Sequence, residues 1–273
     1  MKLRGRNIKK AAYPYILWTA LFVIAPMFLV MANAFSAADG SFTTANFARA
    51  FEPIYLAVMW RSVELAAVCT AICLLLGYPA AYFIARLRLK SRGALLFLVI
   101  VPMWMNFLLR TYAWLTILEK NGVINSALEF LGLPKLNLLY NSGAVVLGMV
   151  YNFLPFMILP LYTVLEKTDG TLVEAAQDLG ASRAGVFFRV TLPLSLPGVL
   201  SGVTMVFMPA VTTFVESNLL GGNHFILIGN LIEQQFLTVY DWRFGSALSV
   251  ILMLIILISM GAAELAGGAG EET

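Results

Sequence analysis

Six long apolar runs alternate with shorter polar connections along this chain. They lie at about Tyr13–Phe35, Val63–Ala85, Ala94–Leu118, Gly143–Leu165, Leu196–Leu220 and Gly245–Ala263. A helix needs about 20 apolar residues to cross the hydrocarbon core of a bilayer, and each run meets that length. The runs are continuous rather than alternating, which argues against a β-barrel. The pattern therefore predicts an all-α integral membrane protein with six spans. Prolines punctuate several of them (Pro26, Pro155, Pro160, Pro209). Neighbouring helices re-satisfy the backbone groups that a proline frees, so these are packed, bent helices. Tyr151 and Asn152 place polar groups beside Pro155 and are candidates for lining a cavity.

One connection differs from the rest. Residues 166–195 carry TLVEAAQDLGASRAGVFFRVTLP from Thr171 to Pro193, polar and rich in small side chains between two apolar runs. Thr171 and Glu174 have the spacing of a capping box. Leu172, Ala175, Ala176 and Leu179 then share one helical face, with Gln177 and Asp178 turned away. Gly180 is suited to the left-handed conformation that ends a helix. Ser182 can cap a second short helix carrying Val186, Phe187 and Val190, which Pro193 is expected to stop. The product is a pair of short helices outside the membrane, small enough on one side for a partner to approach closely.

Charge fixes the orientation. Of 273 residues, 60% are hydrophobic and only 12% charged, too few for a soluble domain's surface. Twelve Lys and Arg residues fall on one side: Lys2 to Lys10, Arg86 to Arg92, and Lys167, Arg183 and Arg189. Five (Arg49, Arg61, Lys120, Lys135 and Arg243) fall on the other. Positive residues favour the cytoplasmic side, so both termini and the 166–195 loop are expected there. Topology accounts for the net charge of +3, and nothing suggests nucleic acid. The first run is too long for a cleavable signal segment and reads as a retained span.

Few residues offer chemistry. Cys69 and Cys73 stand one turn apart, a poor disulfide geometry, and read as buried thiols. Arg110 lies in the third run; a charge at membrane depth faces a cavity or partner or snorkels to the interface. Thr212, Thr213 and Glu216 form a polar stripe towards the outer end of the fifth run. Glu216 is either an outer-mouth carboxylate for a cationic solute or an interfacial residue in water, and Glu64 carries the same ambiguity. His224 is the only histidine, so a histidine metal site or catalytic dyad has little support. No phosphate-binding loop, nucleophile elbow or zinc-protease motif occurs. The acidic, Gly-rich end, residues 264–273, reads as disordered.

The spelling of the polar loop carries a resemblance. Glu174-Ala175-Ala176, then Gly180, then Val190-Thr191-Leu192-Pro193 resembles the EAA loop of bacterial ABC importer permeases, with Val190 where Ile is usual. The likeness extends along the chain to the spermidine/putrescine permeases. It is carried by Arg110-Thr111-Tyr112-Ala113-Trp114, Asn121-Gly122-Val123-Ile124-Asn125, the run from Leu154 to Tyr162, Leu219-Leu220-Gly221-Gly222 and Ile228-Gly229-Asn230. Glu216, where relatives are expected to carry an apolar residue, and the acidic tail depart from the pattern.

The resemblance implies a single permease domain over 1–273 with the type I importer (MetI-like) fold, in the bacterial cytoplasmic membrane. It implies that Glu174, Ala175, Ala176, Gly180, Leu192 and Pro193 couple to the ATPase. Arg110, Tyr151, Asn152, Thr212, Thr213 and Glu216 are candidates for the solute path. The implied partners are two ATPase subunits, a second homologous permease, an extracytoplasmic polyamine-binding protein and membrane lipid. No cofactor is expected on this chain; ATP and magnesium belong to the ATPase. Alternatives are the same machine for thiamine, ferric iron or an oxyanion, an ion-coupled secondary transporter, or a scaffold that moves nothing.

Overall fold

The computed structural model describes residues 13–222 and 225–268. The basic amino-terminal cluster, His224 and residues 269–273 lie outside them. Among the described residues there is no strand, only one antiparallel bridge between Ser36 and Phe42. In chain order the helices are α1 (Tyr13–Ala34), α2 (Ala45–Ala50), α3 (Pro53–Ala85), α4 (Leu89–Trp104), α5 (Phe107–Leu118) and α6 (Val123–Phe130). There follow α7 (Ser142–Lys167), α8 (Gly170–Asp178), α9 (Arg183–Thr212), α10 (Val215–Leu220), α11 (Ile228–Gln234) and α12 (Trp242–Gly268). Five of them are long and apolar enough to cross a membrane, and the bent pair formed by α4 with α5 and α6 makes a sixth when it is counted as one span.

Two expected spans are not continuous. The third turns by 93° after Trp104. Asn106 takes the cap position of α5, its side chain accepting from Leu108 N (2.8 Å) and Leu109 N (3.4 Å). Asparagine favours helix starts for this reason, and inside an apolar run it marks a restart. The fifth begins earlier than expected and ends sooner. Pro193 does not stop the short helix after Ser182. A π-helical turn, Phe187–Thr191, carries the chain straight into the span, with Leu192 N–H reaching the Phe187 carbonyl. That wider turn shifts the bonding register where Pro193 has no N–H to give. At its other end α9 stops at Thr212, and α10 restarts at Val215. The last helix runs through Gly268, so residues 264–268, expected to be disordered, are helical.

The chain divides into two compact units. One combines the residues up to Leu56 with Leu231–Leu254. Ala34, Ala247 and Val250 form its buried cluster, with Val30, Phe35 and Phe47 packed against it. Arg49 pairs with Asp241 at 2.8 Å and lies 4.0 Å from the Phe244 ring centre. Asn46 donates to the carbonyls of Ala34 and Ser36 and so closes the free end of α1. The apolar side chains of α1, among them Leu17, Leu21, Phe22 and Phe28, are exposed in this single chain.

The second unit holds Ala57–Asn230 and the stretch from Ile255. Its centre is α7, where Met157 is 0% exposed. A Cβ placed on Gly77 of α3 would lie 2.9 Å from Met157 Cγ, and one on Gly202 of α9 only 2.6 Å from Met157 Sδ. One turn along, a Cβ on Gly198 would meet Val164 and the Pro160 carbonyl at 3.1–3.2 Å. The Gly198-x-x-x-Gly202 spacing is the device that lets membrane helices approach closely. Cys69 and Cys73 are buried and unpaired on α3, as the sequence indicates. Replacing Gly202 by Val is expected to overpack this crossing and cost about 1–3 kcal/mol, lowering the thermal midpoint in detergent. Gly261→Ala, where no atom lies within 4 Å of the added Cβ, is expected to leave it unchanged.

Candidate functional site

Two groups of side chains stand out, at opposite ends of α7 and α9. The first is the 166–195 loop. α8 starts two residues before the predicted capping box: Asp169, not Thr171, is the cap, its carboxylate accepting from Thr171 N at 2.9 Å. That bond holds the Asp169 carboxyl below its usual range. The cap is therefore intact from neutral pH into mild acid and is lost as pH falls through the lowered value. At the far end Gly180 adopts φ +83°. Gly180 N bonds Gln177 O and Ala181 N bonds Ala176 O, the two bonds of a Schellman cap. Ser182 caps α9 by accepting from Gly185 N at 3.2 Å.

None of the residues of α8 is buried. Glu174 and Ala175 are exposed, and Leu179, grouped by the sequence with an apolar face, is 90% exposed. This apolar face points away from the chain. Leu192 and Pro193 stand apart from that surface, at the head of the transmembrane part of α9 beyond the π-helical turn. The loop is anchored next to α4: Arg92 Nη1 reaches Glu166 at 2.6 Å while its Nη2 donates to the Ala85 carbonyl.

The second group is a buried polar cluster. Glu216 is 0% exposed. Its two carboxylate oxygens accept from Asn152 Nδ2 (3.1 Å) and from the Thr213 hydroxyl. Gly148 lies beside it, where an added Cβ would touch Glu216 Cγ at 3.5 Å and collide with Leu220 Cδ1, so the glycine makes room for Leu220. Among the described residues no cation pairs with this carboxylate, and Asn152 Oδ1 is buried without a partner.

Of the six residues expected along the path, the structure joins three: Asn152, Thr213 and Glu216. Thr212 is not part of the group; its hydroxyl returns to the Met208 carbonyl of its own helix. Tyr151 faces Trp114, edge-on at 5.4 Å. Arg110 is buried on α5, with Nε and Nη1 lacking partners and its guanidinium carbon 5.9 Å from the Phe107 ring centre.

The cluster exists because α9 breaks, and two residues not assigned a role from sequence hold the break open. A Cβ on Gly229 would lie 2.5 Å from the Thr212 carbonyl oxygen. Asn230 then donates to the Phe214 carbonyl (2.9 Å) and to Asn218 Oδ1 (2.7 Å) and accepts from Leu227 N (3.0 Å). Pro209, which cannot donate, was the signal in the sequence that this end of the span is weak.

Residues 74–265 match the family described as "Binding-protein-dependent transport system inner membrane component". The chain is 40% identical over 267 residues to the spermidine/putrescine transport system permease protein PotB of Haemophilus influenzae, covering 94% of this chain and 93% of that one. It is 41% identical over 247 residues to the protein of the same name in Escherichia coli, covering 88% and 90%. A bacterial transporter involved in import of the acidic polysaccharide alginate has the same fold, with TM-score 0.80 at 18% identity, covering 96% of each chain. The family match spans well over half of the chain and takes in both polar groups. This chain belongs to the inner membrane components of binding-protein-dependent transport systems.

Proposed function

We propose that this chain is a permease subunit of an ATP-driven importer for polyamines, spermidine or putrescine. The observation that carries the reading is the 40–41% identity to spermidine/putrescine permeases over nearly the whole chain. Both termini and the 166–195 loop face the cytoplasm. A second, similar permease completes the translocation path, two ATPase subunits supply the work, and an extracytoplasmic protein delivers the polyamine. ATP and magnesium belong to the ATPase; this chain binds no cofactor of its own.

The exposed face of α8 supports the coupling role. Leu172, Ala175 and Leu179 leave a contiguous apolar face open on a polar loop, and such a patch marks a contact with a protein partner. Glu174, Ala175, Ala176 and Gly180 form the contact. The small side chains permit close docking, and Gly180, whose Cβ position is open, turns the chain away beneath the partner. Leu192 and Pro193 join the coupling segment to the span.

Glu216, with Asn152 and Thr213, is the ammonium-recognising part of the path. A carboxylate out of water is expensive without a countercharge, and a polyamine supplies one. Tyr151 and Thr212 flank this group. Arg110 would repel such a solute and, buried within this chain, belongs to the wall of the path rather than to its ammonium-recognising group.

Spermidine and putrescine uptake into vesicles holding the whole complex tests the substrate; no uptake by the wild type would reject polyamines. Gly180→Asp places a charge against the ATPase and a strained φ in the turn. It is expected to abolish ATP-dependent uptake while insertion persists, and robust uptake would reject the loop's role. Glu216→Gln is expected to raise the KM for uptake about tenfold, the loss of roughly 1.4 kcal/mol, with assembly intact. Unchanged kinetics would remove Glu216 from the path.

A further inference from the structure

An aromatic junction joins the 166–195 loop to the end of α3, beside the bridge that Arg92 makes from Glu166 to the Ala85 carbonyl. Tyr78 and Tyr82 stand one turn apart on α3, and both meet Phe187 edge-on, with ring centres 5.6 and 6.0 Å away and planes at 83°. Phe187 is the first residue of the π-helical turn within α9 that leads into its transmembrane part. Such turns recur at functional positions. The Tyr78 hydroxyl also lies 2.8 Å from Ser195 Oγ. Ser195 in turn donates to the Leu192 carbonyl at 2.9 Å, so Tyr78 is the donor to Ser195. Arg86 lies 4.1 Å from the Tyr82 ring centre and closes the stack.

Around the junction the packing is open. Two clefts of about 390 and 290 Å³ share Tyr82, Arg86, Val173 and Gln177 in their linings. The coupling helix α8 thus faces the end of α3 across open space, and no residue of α8 is buried. A displacement of the loop meets little resistance there. What bears on α3 is Phe187 between the two tyrosine rings, and the hydroxyl chain from Tyr78 to Leu192. Beyond it lies Gly77, against Met157 of α7.

We infer that Phe187 is the residue through which movement of the ATPase-bound loop reaches the membrane spans, with Tyr78 and Tyr82 as its receiving surface. This rests on the coupling reading above. Two rings at right angles to a third resist sliding in two directions, whereas an aliphatic contact would yield. The role is transmission, so removing Phe187 should spare ATP hydrolysis and silence the response at the far end of α9.

The test uses the full complex in lipid discs, with Cys69 and Cys73 replaced by Ala and a reporter introduced as Phe214→Cys in the break between α9 and α10. Phe214 is 38% exposed. Labelling of the reporter by a membrane-impermeant maleimide is followed with and without ATP and vanadate, and ATP hydrolysis is measured on the same sample. Nucleotide is expected to change labelling about fivefold or more when Phe187 is present, the lower range of site-to-site coupling. Phe187→Ala should lose that response while ATP hydrolysis stays within about twofold. Phe187→Tyr, with the smaller cleft available for its hydroxyl, should keep the response. Tyr82→Ala, which leaves Phe187 in place, should lose it, and so covers the case in which Phe187→Ala fails to assemble.

Retention of the response in Phe187→Ala or Tyr82→Ala overturns the inference and leaves the coupling reading standing. Parallel loss of hydrolysis and response in both variants also overturns it, since that is the mark of a docking or folding role. A reporter indifferent to nucleotide with Phe187 present overturns the coupling reading and this inference together.

Discussion

Between membrane helices there is little hydrophobic gain to be had, because lipid is as apolar as leucine; helices hold together by how closely they approach. In this chain the close approach is Met157, held between Gly77 and Gly202. That contact brings α3, α7 and α9 to one crossing. From there α7 and α9 run one way to the 166–195 loop and the other way to Glu216. The two polar groups are therefore fixed relative to each other by glycines and a methionine, none of which has any chemistry of its own. Methionine suits the position, being unbranched and able to fill an irregular gap between two backbones.

Away from the crossing the chain gives up regular helix where it needs something else. The break at Thr213–Phe214 exposes backbone carbonyls that lipid could not satisfy. Gly229 comes close to the Thr212 and Thr213 carbonyls, and Asn230 bonds the Phe214 carbonyl. The restart at Val215 then turns Glu216 inward against Gly148 and Asn152. At the opposite end, the π-helical turn absorbs a proline and aims Phe187 at α3. These two irregularities coincide with the two polar groups, and the regular helix between them does the holding.

Much of this could be read in the sequence. Length and apolarity located all six spans, and Gly180 and Ser182 announced their turns. Other points turned on contacts between distant residues, which a linear pattern does not hold. Asp169 and Thr171 are both good caps, and only the path of the chain out of α7 selects the first. Asn106 looks like a polar interruption until its side chain is seen capping α5. Thr212, Thr213 and Glu216 fit one helical face, but the stripe is cut by a break whose support comes from Gly229 and Asn230, more than a dozen residues on. Phe187 passed for core beside Val186, because its tyrosine partners lie over a hundred positions earlier.

The openness of α8 has a consequence for the durability of the bare chain. None of the nine residues of α8 is buried, and its ends are fixed by a carboxylate on one side and a glycine turn on the other. Segments of this kind open at little free-energy cost, and open polar loops are where proteases cut. Whatever covers this face also shields it, and a chain with the face bare is the one a protease reaches first. The same open surface that suits the segment to contact thus also makes it the point where the bare chain is most readily cut.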